Sequence, residues 1–336
     1  MLIVAFLYAS AVTSYLTYSA PQPRDTTWRD PSSHRVLQVT VAPSVQLEVL
    51  DWGGQGPPLV FLAGGGNTAH IYDNFATRFT SRFHVLGVSR RGFGASSHPA
   101  TGYDTTTLVR DLIAVLDSLR LPKATFVAHS FGGSELNYLG AQYPDRVHRL
   151  VYLDSGFDFR ALFDSPEWKS GQLYGAPQPP TPSYDDETGS VWSWTLWAER
   201  LSGPGVPEAE VRAIYQFDSN DRFVGSTSVE GWLKRLDRGN EAIDLTRIRT
   251  PVLALYAVPG SAEVMFPYWQ TLDPTSRARC EKMFLALERV HSRLRSDFRD
   301  QVERARVVIV PGARHYIFLT HPGEVTHAML DFLLPA

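Results

Sequence analysis

The chain has 336 residues, 43% hydrophobic and 20% charged, which is the make-up of a globular protein with material for a sizeable core. A formal net charge of -3 and the lack of any long basic run exclude the electrostatic footprint of a nucleic-acid or acidic-membrane binder, and favour small molecules as partners. The single cysteine, Cys280, excludes an intrachain disulfide framework and a cysteine-based zinc cage.

Met1 to Val12 is almost wholly apolar but shorter than the roughly 20 residues that cross a bilayer. It reads as a secretory signal peptide with cleavage near Ser19 or Ala20, which predicts a secreted or periplasmic protein with no stable membrane span after processing. No Lys or Arg precedes the run, and the first basic residue is Arg24, so an uncleaved anchor or a misassigned start with a cytoplasmic location stays open. Residues 1–34 are therefore set aside as leader and linker.

Arg35 to Val41 and Val45 to Trp52, separated by Pro43-Ser44, predict a β-hairpin. Leu59 to Leu62 is a short buried strand that ends in Gly64-Gly65-Gly66, Tyr72 to Phe79 can form a helix, and Phe83 to Val88 is the next strand. Leu108, Leu112, Val115, Leu116 and Leu119 recur at helical spacing until Pro122 stops them. The strands Ala124 to Ala128 and Val147 to Leu153 follow, with a helix from Glu135 to Tyr143 between them. This alternation predicts a mainly parallel sheet with helices on both faces.

The rhythm breaks over 159–246, where the chain is rich in Pro, Trp and acidic residues, and it resumes with the strand Pro251 to Ala257. A long charged helix within Ser276 to Arg304, the strand Ala305 to Val310 and a helix around Glu324 to Leu334 complete the chain. The expected organisation is a core of 35–158 and 247–336 with a mostly helical cap, 159–246, over the carboxyl ends of the strands, where ligands of open α/β sheets bind. The cap tryptophans Trp192, Trp194 and Trp197 are candidates for contact with an apolar substrate group, and equally for the cap's own core, as are Trp168 and Trp232.

Phe126-Val127-Ala128-His129-Ser130-Phe131-Gly132-Gly133 reads as strand, tight turn and helix. Ser130 is either a simple helix N-cap or a serine forced up from a strained turn, with glycines that let strand and helix approach. His315 follows the last strand in Pro311-Gly312-Ala313-Arg314-His315-Tyr316. Asp154 ends the strand Leu150 to Leu153, and Glu263 is the nearest acid after Pro251 to Ala257. Gly92-Phe93-Gly94, led by Arg91 and closed by Ser96, forms another glycine turn. No Gly-Lys-Ser/Thr phosphate loop, no G-x-G-x-x-G after a strand and no H-E-x-x-H metal spacing occurs, so no cofactor or metal is expected.

Four of these motifs, in this order, resemble the α/β-hydrolase superfamily over about residues 35–334. They are the glycine loop, the R-G-x-G-x-S turn, the elbow around Ser130 and the G-x-x-H segment of His315. The resemblance implies a doubly wound α/β-hydrolase sheet and a serine hydrolase acting on a carboxylic ester of a small molecule. Peptidase, thioesterase or carbon-carbon hydrolase activity, or a non-catalytic ligand-binding protein, are the alternatives. Ser130 would be the nucleophile, His315 the base, and Asp154 the acid, with Glu263 as the alternative acid in the position most members use. The backbone N–H groups of Gly65 and Phe131 would form the oxyanion hole. Two departures are plain: Ala128 stands where the elbow usually has glycine, and Ala63 where the oxyanion loop usually has histidine. Epoxide hydrolases and haloalkane dehalogenases of this fold carry an aspartate at the elbow, so Ser130 argues against both.

Overall fold

The protein is described by a computed structural model that covers residues 28–173, 176–177, 189–227 and 243–334. The leader reading of Met1 to Val12 and Trp232 fall outside the described residues. Among the described residues, no helix is long and apolar enough to cross a membrane.

One eight-stranded sheet organises the chain. Its strands are β1 (Arg35–Ala42), β2 (Val45–Gly53), β3 (Pro58–Leu62), β4 (His84–Val88), β5 (Ala124–His129), β6 (Val147–Leu153), β9 (Val252–Val258) and β10 (Ala305–Pro311), in the spatial order β1-β2-β4-β3-β5-β6-β9-β10. From β4 to β10 every neighbouring pair is parallel, whereas the β1–β2 hairpin joins the β4 edge antiparallel. Central strands such as β5 are buried along their whole length, which is why their sequences run apolar instead of alternating. Strands β7 (Tyr215–Phe217) and β8 (Phe223–Ser226) form a separate two-stranded sheet.

Among the described residues, six longer helices pack around the sheets: α1 (Thr105–Ser118), α2 (Gly132–Gln142), α3 (Val191–Ser202), α4 (Glu208–Ile214), α5 (Pro274–Gln301) and α6 (Pro322–Leu333). Helix α1 begins where Asp104 accepts the Thr107 N–H at 2.9 Å, and it buries Leu108, Leu112, Val115 and Leu116 along one stripe. Helix α5 starts at Pro274, capped by Asp273, and buries Cys280, Met283, Leu287, Val290, Leu294 and Phe298 at three- and four-residue intervals. Its charges occupy the remaining face.

Between β6 and β9 the chain leaves the sheet. The expectation of a mostly helical insertion is met by α3 and α4, but β7 and β8 add a hairpin. Local chemistry explains the hairpin: the Asp218 carboxylate accepts the N–H groups of Asn220 and Arg222, both at 2.9 Å, and Asp221 takes a left-handed φ of 58°. Trp194 stacks on Phe223 with ring centroids 4.6 Å apart and meets Tyr215 at 4.5 Å, so this insertion carries its own aromatic core. The insertion touches the loops beyond the carboxyl ends of β3 and β10. Asn74 Nδ2 donates to the Gly205 carbonyl at 2.9 Å, and Arg314 Nη1 to the Arg200 carbonyl at 3.1 Å.

Residues ahead of β1, set aside as linker, are also packed. The His34 side chain is only 3% exposed and lies edge-on to Trp52 with centroids 6.1 Å apart. Trp52 in turn covers Gly87 of β4. A methyl group on Gly87 would meet Trp52 Cη2 at 2.5 Å, and the indole cannot swing aside because its Nε1–H donates to Asp73 Oδ1 at 2.9 Å. The entropic gain from replacing a strand glycine by alanine is about 0.5–1 kcal/mol. Overpacking at this contact costs about 1–3 kcal/mol and outweighs it. Gly87→Ala is therefore expected to lower the unfolding free energy in urea denaturation, and equal or greater stability would show that the Trp52 contact yields.

Candidate active site

Ser130 sits at the crossing of β5 and α2 with a φ of 52°, a left-handed conformation that costs a non-glycine residue about 1–3 kcal/mol. Three contacts hold it there: Ser130 N–H donates to the Leu153 carbonyl at 3.2 Å, and its own carbonyl accepts Gly133 N–H at 2.9 Å and Ser155 Oγ–H at 2.7 Å. The glycines that follow are sterically required. A methyl group on Gly132 would lie 3.0 Å from the Ala128 methyl and from the Ala63 carbonyl oxygen, and one on Gly133 would lie 1.9 Å from Ser155 Oγ. Ala128 is accommodated because Gly132 faces it with no side chain.

His315 and Asp154 meet across the carboxyl ends of the strands. His315 Nδ1 donates to Asp154 Oδ2 at 2.7 Å, and Asp154 Oδ1 accepts the Ala257 N–H at 2.9 Å. Because a carboxylate only accepts, Nδ1 carries the proton and the neutral ring keeps its Nε2 lone pair free. Among the described residues that Nε2 has no hydrogen-bond partner. Burial lowers the His315 pKa below its ordinary 6.5, against the opposing pull of Asp154, so the ring is neutral at neutral pH. Glu263 is placed elsewhere: it is exposed in a short helical turn, Ala262–Met265, where it accepts a hydrogen bond from Gln270.

His129, which precedes Ser130, is fully buried and donates through Nε2–H to the His315 carbonyl at 3.0 Å, with the two ring centroids 4.4 Å apart. Burial first, then the neighbouring His315 and Arg90, keep it neutral far below the usual histidine range. It is a positioning group, and Gly64 closes over it: a Cβ on Gly64 would meet His129 Nδ1 at 2.8 Å and Ser130 Cβ at 3.1 Å.

The glycine loop is supported from behind by a residue that the sequence patterns did not single out. Arg90 donates Nη1–H to the Gly64 carbonyl at 3.0 Å and Nη2–H to the Ala63 carbonyl, while its Nε and Nη2 grip the Glu135 carboxylate at 2.6 and 2.9 Å. This fork ties the two carbonyls at the start of the glycine loop to α2. Among the described residues, neither Gly65 nor Phe131 donates its backbone N–H to the chain. Arg91 performs the parallel task for the next turn by a bidentate contact with Asp111, at 2.7 Å to each oxygen.

A second unforeseen residue is Glu210 of α4, fully buried against the same loop. Its carboxylate accepts Asn67 Nδ2–H at 2.8 Å, Thr68 N–H at 3.1 Å and the Thr68 hydroxyl, and burial raises its pKa to about 7. Tyr316, next to His315, donates its hydroxyl to Asn67 Oδ1 at 2.9 Å and closes the chain of contacts. Of the tryptophans considered for substrate contact, Trp194 and Trp197 are buried in the insertion's aromatic core, and Trp192 is 71% exposed on its outside.

The Arg90–Glu135 pair generates a direct test. Arg90→Met leaves a buried carboxylate unpaired and is expected to cost about 3–5 kcal/mol in urea unfolding. Arg90→Met/Glu135→Leu should restore at least half of that loss, whereas purely additive losses would mean that the two residues act independently.

The sequence profile of the Alpha/beta hydrolase family matches residues 59–328. A stretch of 120 residues, 35% of this chain, is 34% identical to a non-heme chloroperoxidase of Streptomyces lividans, and spans 44% of that relative. Epoxide hydrolase A of Mycobacterium tuberculosis is 24% identical over an alignment of 339 positions that takes in 86% of this chain and 94% of that protein. In three dimensions, the crystal structure of an E-2-(acetamidomethylene)succinate hydrolase superposes with a TM-score of 0.61 at 21% identity, covering 89% of this chain and 99% of that one. With the profile running through most of the sheet, from β3 to within α6, the chain belongs to the alpha/beta hydrolase family.

Proposed function

We propose that the protein is a serine hydrolase that cleaves a carboxylic ester of a small molecule through an acyl-enzyme on Ser130. The observation that carries this reading is the hydrogen bond from His315 Nδ1 to the buried Asp154 carboxylate, on a loop held by His129 directly beside Ser130. A serine hydroxyl becomes nucleophilic only as a base removes its proton, and a neutral imidazole locked in the Nδ1–H tautomer is such a base.

His315 Nε2 takes the Ser130 proton as Oγ attacks the ester carbonyl, and the N–H groups of Gly65 and Phe131 stabilise the oxyanion. The tetrahedral intermediate collapses, and His315 returns the proton to the departing alcohol. Water then attacks the acyl-enzyme with His315 as base, which frees the carboxylic acid and restores Ser130. In the ground state the base need not be bonded to the nucleophile, because such contacts tighten when substrate binds. The insertion serves as the cap in this reading, with Glu210 fastening α4 to the loop that carries Gly65.

Three experiments test the reading. A serine-reactive phosphonate is expected to modify Ser130, and Asp154→Asn to lower kcat for p-nitrophenyl esters by about 10⁴-fold, with Glu263→Gln within about twofold of the parent. Loss of activity confined to Glu263→Gln would move the acid to that position, and a folded protein that the probe leaves unmodified would make the chain a binding protein. In a pH series, kcat/KM should fall on the acid side as His315 gains a proton. Since burial lowers that pKa, the midpoint is expected below 6.5, and a midpoint above it would mean that the base has another identity.

A further inference from the structure

We propose that Asp30, His34, His70 and Asp73 form a binding site for one divalent transition-metal cation of borderline softness, best matched by Zn2+, which fastens the segment before β1 to the turn after the glycine loop. Each of the four offers one ligand atom, and all four atoms lie within 4.8 Å of one another. Asp73 Oδ1 is 2.9 Å from His34 Nδ1, and Asp73 Oδ2 is 3.1 Å from His70 Nδ1. Asp30 Oδ2 is 3.4 Å from His70 Nδ1 and 3.5 Å from His34 Nε2. Bonds of roughly 2.0–2.1 Å in a tetrahedron put ligand atoms about 3.3–3.4 Å apart, and the separations of His70 Nδ1 from Asp73 Oδ2, 3.1 Å, and from Asp30 Oδ2, 3.4 Å, are close to that value.

The surroundings fit a metal as well as the ligands do. Asp73 is 1% exposed, His34 3%, His70 10% and Asp30 22%, so the carboxylates are largely removed from water. Among the described residues no Lys or Arg forms an ion pair with Asp30 or Asp73, whose ion-pair partners are the two histidines. Two carboxylates, two neutral imidazoles and a divalent cation sum to zero charge, which lowers the cost of burying them.

Outer partners are also in place. His70 Nε2 lies 3.5 Å from Glu48 Oε1, the carboxylate–imidazole–metal arrangement that fixes a ligand's tautomer, and Glu48 is itself bonded by the Ser89 hydroxyl at 2.7 Å. Trp52 Nε1–H orients Asp73. Two imidazoles with two carboxylates select Zn2+ or Co2+ over Mg2+ or Ca2+, which prefer all-oxygen shells. Because His70 and Asp73 follow Asn67 and Thr68 closely, the ion would brace the turn on which Glu210 docks.

The competing arrangement has the same side chains held by protons alone, and cobalt separates the two. Full-length protein, stripped with a chelator and titrated with Co2+, is expected to bind one equivalent, with the intense visible d–d absorption of a tetrahedral ion, and to release it to Zn2+. Saturating Zn2+ should raise Tm by several degrees. His34→Gln and, at the most exposed ligand, Asp30→Asn should each weaken binding about 100-fold, with far-UV circular dichroism unchanged. His327→Gln, an exposed histidine elsewhere, should leave binding intact. Should His34→Gln fail to fold, Asp30→Asn decides. Absence of the tetrahedral band, or Co2+ binding that neither ligand variant weakens, would overturn the proposal.

Discussion

Much of the structure follows from the close approach of β5 and α2 at Ser130. A left-handed serine is tolerable only where its neighbours fix it, and here the Leu153 carbonyl, the Gly133 amide and the Ser155 hydroxyl all do so. That geometry leaves no room for side chains at 132 and 133 and brings Gly64 within contact of Ser130 and His129. The strain is local, but the restraints come from β6 and from the loop after β3.

Those restraints are linked by buried ionic groups, not by apolar packing alone. Arg90 joins the ends of β3 and β4 to α2 through two carbonyls and the Glu135 carboxylate. Such a pair contributes little net stability against an apolar replacement, because two charges lose their water, but it imposes one arrangement on three loops. Glu210 does the same between the insertion and the core: a carboxylate placed beside two donors and a hydroxyl can dock α4 in one position. At the two departures from the family pattern, the Arg90 guanidinium holds the Ala63 and Gly64 carbonyls, and Gly132, with no side chain, leaves space for the Ala128 methyl.

The order of the strands accounts for the partner of His315. Strand β6 pairs with β9, and β9 with β10, so the end of β6 stands one strand away from the loop that carries His315. Asp154, with a φ of 45°, turns out of β6 across the end of β9, where the Ala257 amide receives one oxygen and His315 the other. The segment after β9 instead bends into a short helical turn and carries Glu263 outward.

Features written in consecutive residues were legible in the chain alone. The apolar strand runs, the helical spacing of Leu108 to Leu119, the glycines after Ser130 and the turn before His315 each act on backbone conformation within a few positions. Local sterics and burial suffice to read them. The choice between Asp154 and Glu263 was not legible, nor were Arg90, Glu210 or the gathering of Asp30, His34, His70 and Asp73. Each depends on which strands and loops are neighbours, and Asp154 and His315 are 161 positions apart. A side chain at such a distance leaves no periodic trace in the sequence. Its role is set by strand order and register, which arise from packing the whole sheet.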